Sequence, residues 1–297
     1  MNSQVLQALQ QVATLVFVVS SMLAMGLSLT VGAIVAPLRH MRLVAVALAA
    51  NFIAVPLFAI LLQSIVKLDE PLYAGLLLVA TAAGAPFLPK LAEAAKGDIA
   101  FSVGLMVLLM VTTVLYMPIV LPLLLPDVQI SPWDIASSLV FLMLLPLAAG
   151  LFIKSRYSAV AQGLQPHMAQ TSSLSIAILI GAGVLANFTQ IIGLVGTGGI
   201  VAILAFLLGA LAIGYFAGGR DPGTRAVLGL GTAQRNLSAA LVVASQNFGD
   251  TPDTLTFIIV AALIGLVSLM LFAGELGRRS KSTTAANGPK ADGRPTT

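Results

Sequence analysis

Long apolar runs, separated by short basic or polar clusters, occupy nearly the whole chain. Nine runs come close to or exceed the roughly twenty residues that an α-helix needs to cross a bilayer. They fall at 11–36, 41–66, 71–95, 98–125, 133–153, 167–187, 191–217, 223–247 and 253–276. None alternates apolar and polar positions as a barrel strand does. The pattern predicts an all-α integral membrane protein with nine transmembrane helices in a transporter-like domain over residues 1–279. The chain then ends in SKSTTAANGPKADGRPTT (280–297), too polar to bury apolar area, and a disordered cytoplasmic tail is expected there.

Two runs carry breaks. The third, LYAGLLLVATAAGAPFLPKLAEAAKGD from Leu72 to Asp98, contains Pro86 and Pro89 close after Gly84. Proline lacks the N–H that a helix interior needs. The eighth, RAVLGLGTAQRNLSAALVVASQNF from Arg225 to Phe248, sets Gly229 and Gly231 just ahead of Gln234, Arg235 and Asn236. Pro86, Pro89, Gly229 and Gly231 predict two unwound segments that meet inside the membrane. The two runs are five apart in order, so they cross in opposite senses. Interrupted spans at matching places in two halves point to an inverted-repeat transporter. Run one pairs with six, two with seven, three with eight and four with nine. Run five is unpaired, as if the first half lacked its leading helix.

Composition agrees. Hydrophobic residues make up 58% of the 297 and charged residues 9%, where a soluble domain carries about a quarter charged. Twelve of the fifteen Lys and Arg follow the odd-numbered runs, with only Lys67 on the opposite side. Basic residues favour cytoplasmic loops. The N-terminus is therefore expected outside, the C-terminus in the cytoplasm, and the protein in the plasma (inner) membrane. That bias also accounts for the sequence pI of about 9.6 without nucleic-acid binding. There is no cysteine and no HExxH, and His40 and His167 sit at helix ends, which argues against an enzyme. A membrane sensor or scaffold, the rival from another class, would need a soluble output domain, and no loop is long enough to be one. Trp133 and Tyr73 read as interface anchors. Asn187-Phe188-Thr189 matches the glycosylation triplet, a short pattern with many chance matches.

Four segments resemble the bile acid:sodium symporter family. They are SSMLAMGLSLT (Ser20–Thr30), NFIAVP (Asn51–Pro56), GAPFLPKLAEAAKGDIAFSVGLMVLL (Gly84–Leu109) and GTAQRNLSAAL (Gly231–Leu241). The resemblance runs from about residue 12 to 276, and the AKGD turn and QRN stretch are its most specific parts. It implies a core domain (41–66, 71–95, 98–125, 191–217, 223–247, 253–276) and a panel domain (11–36, 133–153, 167–187). A small organic anion would bind between them, in contact with membrane lipid outside. No cofactor is implied, only Na⁺ as a coupling ion. At the family's first sodium position, its carboxylate falls at Gly231, its Ser–Asn pair at Leu88 and Pro89, and its Thr at Met106. Ser102 keeps a hydroxyl. At the second, Asn51 keeps an amide, Thr232 and Gln234 offer carbonyls, and the family's Gln falls at Arg235.

The candidate substrate- or ion-binding residues are thus Asn51, Ser102, Thr232, Gln234, Arg235 and Asn236, with Na⁺ at Asn51, Thr232 and Gln234. A charge at mid-bilayer costs about 3 kcal/mol on insertion scales and needs a partner or a cavity. Arg235 has three readings: a fixed charge in place of an ion, a contact to an anionic substrate, or a partner of Glu93. Lys90 is either a site residue or a side chain reaching for the cytoplasmic interface. The leading function is secondary transport of an organic anion, by sodium symport or by a sodium-independent or proton-coupled route that uses Arg235 as a fixed charge.

The orientation is testable because the chain has no native cysteine. A cysteine at Ser280 should resist an impermeant thiol reagent in intact cells and react after permeabilisation. Labelling in intact cells would invert the topology.

Overall fold

The computed structural model describes residues 3–35, 39–126, 131–186, 192–194, 196–248 and 251–286, and they contain helices, turns and no strand. The helices are α1 (Ser3–Ser28), α2 (Val31–Val35), α3 (Met41–Val66), α4 (Glu70–Thr81), α5 (Leu88–Ala94) and α6 (Ile99–Leu124), then α7 (Pro132–Arg156), α8 (Ser158–Ala186), α9 (Gly199–Ala217), α10 (Pro222–Ala233), α11 (Leu237–Asn247) and α12 (Pro252–Ala286). Six of them are long and apolar enough to cross a membrane unaided: α1, α3, α6, α7, α9 and α12.

Both expected breaks are present. α4 stops at Thr81 and α5 begins at Leu88, with Gly84 between them at φ +83. A Cβ on Gly84 would strike the backbone of α6 at Leu109 and Met110, so both the conformation and the space require glycine there. Pro89 falls in the first turn of α5, where a missing N–H costs nothing. α10 stops at Ala233 and α11 begins at Leu237. Here the sequence reading is corrected: Gly229 and Gly231 are helical, and the unwound residues are the polar ones, Gln234 to Asn236. The two glycines instead permit close packing, Gly229 on Tyr215 and Gly231 on Leu88.

Other boundaries differ from the expected runs. The first run is not one helix, since α1 ends at Ser28 and Thr30 starts α2 by accepting from the Ala33 N–H at 3.3 Å. α8 begins at Ser158, ahead of the expected 167, and carries Pro166 within it. α9 begins at Gly199, after a left-handed Gly198, and not at 191. α12 runs on to Ala286, while 287–297 of the expected tail, and the Asn187–Thr189 triplet, lie outside the described residues.

α3 and α7 each widen to a π-turn, at Ala50–Ala54 and Val140–Leu144, two residues before Pro56 and Pro146. Proline cannot donate to the carbonyl four residues back, and the ladder loosens around the gap. In α3 the orphaned carbonyl belongs to Phe52, and the Tyr116 hydroxyl of α6 donates to it at 2.6 Å. That π-turn holds Asn51. The AKGD turn is equally local. Lys96 takes the left-handed conformation, and Asp98 caps α6 by accepting from the Phe101 N–H at 2.9 Å.

α1 packs chiefly on α8 and α7, where Gly26 and Gly150 bring two backbones together. α4 packs on α12, α9 on α10 and α3, and α5 on α6, α10 and α12. Alanines such as Ala80, Ala82, Ala83, Ala239 and Ala240 are fully or nearly fully buried where these helices meet. Small residues allow the close approach on which membrane helix packing depends.

Thr113 of α6 holds the first break open. Its hydroxyl donates to Ala83 O at 3.0 Å and accepts from Ala83 N at 2.9 Å. Thr113→Val keeps the shape and orphans both groups, at an expected cost of about 2 kcal/mol or more. Thermal melting of the purified protein measures it, and an unchanged melting temperature would refute the clamp.

Candidate functional site

The second break places Arg235 against the first. Its Nε donates to Val79 O at 3.1 Å and its Nη2 to Ala80 O at 2.7 Å. Its Nη1 donates to Thr232 O at 3.0 Å and to Asn51 Oδ1 at 2.8 Å. Arginine has five N–H donors, so four are used within the chain. The residue is 5% exposed. Val79 and Ala80 lie in the last turn of α4, and Thr232 in the last turn of α10. The carbonyls ending a helix lack intrahelical partners and carry about half a negative charge. Two such ends converge on Arg235, so together they present roughly one negative charge to one positive charge. Glu93 is exposed and is not among its partners. At about 1 kcal/mol each, four hydrogen bonds offset the roughly 3 kcal/mol of placing the charge there.

Asn51 is fixed from both sides. Its Nδ2 donates to Ala47 O at 2.9 Å and to Thr232 Oγ1 at 3.1 Å, which turns Oδ1 toward the guanidinium. Asn236 ties the two breaks together. Its backbone N–H donates to Ala82 O at 2.8 Å and its Nδ2 to Gly84 O at 3.1 Å, while its Oδ1 caps α11 through the Ala239 N–H at 3.1 Å.

The structure brings Asn51, Thr232, Arg235 and Asn236 together and leaves Ser102 out. The Ser102 hydroxyl donates to Ile99 O on its own helix at 2.6 Å. Leu88, Leu105 and Met106 are almost fully buried, and a Cβ on Gly231 would lie 2.8 Å from Leu88 and 3.4 Å from Leu105. Side chains of leucine and methionine offer no hard oxygen to a cation. The first sodium position implied by the resemblance therefore does not fit the ion. At the second, Asn51 Oδ1 and Thr232 O each accept from the Arg235 guanidinium. Gln234 stands apart: its Oε1 is buried with no partner among the described residues, and the residue borders a cavity.

A cavity of about 650 Å³ opens between α1 and α8 on one side and the two breaks on the other. Its wall is mostly apolar, with Phe17, Met25, Phe87, Ile176 and Phe257 among the lining residues. Arg235 and Lys90 supply its positive charge, and no carboxylate lines it among the described residues. Such a space suits a ligand with an apolar body and a negative group.

The model for the Sodium Bile acid symporter family matches residues 15–213. The chain belongs to that family. The match includes the first break and ends ahead of the second. Longer similarity comes from relatives in plants, where the protein named "Probable sodium/metabolite cotransporter BASS3, chloroplastic" of Arabidopsis thaliana is 26% identical over 281 residues, 92% of this chain. The rice protein of the same name is 24% identical over 66% of the chain, and Arabidopsis "Probable sodium/metabolite cotransporter BASS6, chloroplastic" is 24% identical over 74%. The chain spans 64%, 46% and 56% of the lengths of these three family members.

Sequence reasoning missed Thr113 and Tyr116, and the carbonyls of Val79 and Ala80. The π-turns had a readable signal in Pro56 and Pro146. The carbonyl partners had none, because any residue type can supply them.

Asn236→Ala should cost about 2 kcal/mol, from the lost cap and the lost bond to Gly84 O. Asn236→Ser keeps a capping hydroxyl but cannot reach Gly84, and its melting temperature should fall between Ala and wild type. Equal melting of all three would show that Asn236 does not join the breaks.

Proposed function

We propose that this protein is a secondary transporter of a small organic anion, working by alternating access, in which the Arg235 guanidinium replaces a bound cation. The observation that carries the reading is the set of four oxygens around Arg235. Family membership and the apolar, positively charged cavity support transport, and the helix ends meeting at Arg235 support a fixed charge. On this reading α8 and the broken pairs α4–α5 and α10–α11 also span the bilayer, giving nine spans in an inverted repeat without its first helix. α1, α7 and α8 form the panel, and the other spans form the core. Rocking of one against the other opens the cavity to each side in turn. The cytoplasmic C-terminus and an inner-membrane location belong to the same reading.

The relatives' names favour a second reading, sodium symport. The two separate clearly. Two full charges about 4 Å apart repel by roughly 4 kcal/mol at an effective dielectric near 20, nearly a thousandfold in affinity. A sodium ion and Arg235 do not share these oxygens.

Uptake of labelled organic anions into proteoliposomes, in sodium and in choline media, tests this. Equal uptake in both is expected. Arg235→Gln should abolish uptake in choline and recover part of it in sodium, since the amide returns an oxygen to the site. Wild-type uptake that strictly requires sodium would refute the replacement.

A further inference from the structure

Arg235 and Lys90 both border the cavity, but only one of them is available to a ligand. Arg235 has committed four of its five N–H donors to Val79, Ala80, Thr232 and Asn51. It retains one donor, too few for the two-pronged grip that arginine makes on a carboxylate. Lys90 is exposed on α5, and its Nζ lies 5.5 Å from the centre of the Phe87 ring. No ion pair ties it to a carboxylate among the described residues, although Glu93 follows one turn later on the same helix. Its three ammonium donors therefore border the cavity with no acidic partner, above a wall of apolar side chains.

We propose that Lys90 recognises the acidic group of the transported anion, and that Arg235 sets the architecture without gripping the substrate. The proposal rests on the transporter reading and deepens it. The ligand is an acid with an apolar body, its charged group on the Lys90 ammonium beside the Phe87 ring and its body against Phe17, Met25 and Ile176. Lys90 lies on the short half-helix that follows the first break, so an anion held there is attached directly to a moving part of the crossing.

The test uses the full chain in proteoliposomes. The probes are labelled hexanoate, octanoate and decanoate, each beside its uncharged amide. The wild type is expected to take up at least one acid and to discriminate against its amide. Lys90→Gln should raise KM for the acid about tenfold or more, the loss of one charge-assisted contact, with kcat little changed and the preference over the amide lost. Lys90→Arg should restore the preference. Because Lys90 is exposed, Lys90→Gln should melt like the wild type. If Lys90→Gln still prefers the acid at wild-type KM, the proposal fails and the transporter reading stands. If the wild type takes up no acid, or acid and amide alike, the proposal fails together with the organic-anion reading.

Discussion

Arg235 is bonded at once to the end of α4, the end of α10 and the π-turn of α3. Helices that stop inside apolar surroundings leave carbonyls that water cannot reach, and each such group is costly. A single guanidinium with several rigid donors answers three of these carbonyls and an amide oxygen together. Lysine, with a point charge on a flexible stem, would not match that fork of donors. The charge and the breaks therefore stabilise each other. Without the breaks the guanidinium loses three of its four acceptors, and without the guanidinium the Val79, Ala80 and Thr232 carbonyls lose their donor.

The neighbouring features serve that junction. Gly84 gives the first break its left-handed turn against α6, and Thr113 satisfies both backbone groups of Ala83. Asn236 joins the breaks and starts α11. Tyr116 repairs the carbonyl that Pro56 exposes in α3, and so holds the turn that carries Asn51. At the other ion position implied by the resemblance, Leu88, Leu105 and Met106 take the space. One position is thus filled by apolar packing and the other by a covalently attached cation.

Much of this was legible in the sequence. Hydropathy located the six long apolar helices, Pro86 and Pro89 marked the first break, and the QRN stretch marked the second, although its glycines misplaced the unwound residues. The family resemblance came from the same motifs. The partners of Arg235 were not legible, since backbone carbonyls carry no residue signature and Glu93, the obvious acidic partner, is exposed and not among them. Helix ends were misjudged where polar residues continue a helix, as at Ser158 and beyond residue 276, because hydropathy reports burial in lipid and not helicity.

The central claim is that a guanidinium, and no bound sodium, holds the two half-helix ends together. Thermal melting of the purified protein in sodium chloride and in choline chloride at equal ionic strength tests it most directly, with Arg235→Gln measured alongside. The wild type should melt at the same temperature in both salts, and Arg235→Gln should melt lower and be partly restored by sodium alone. A saturable stabilisation of the wild type by sodium and not by choline would contradict the account.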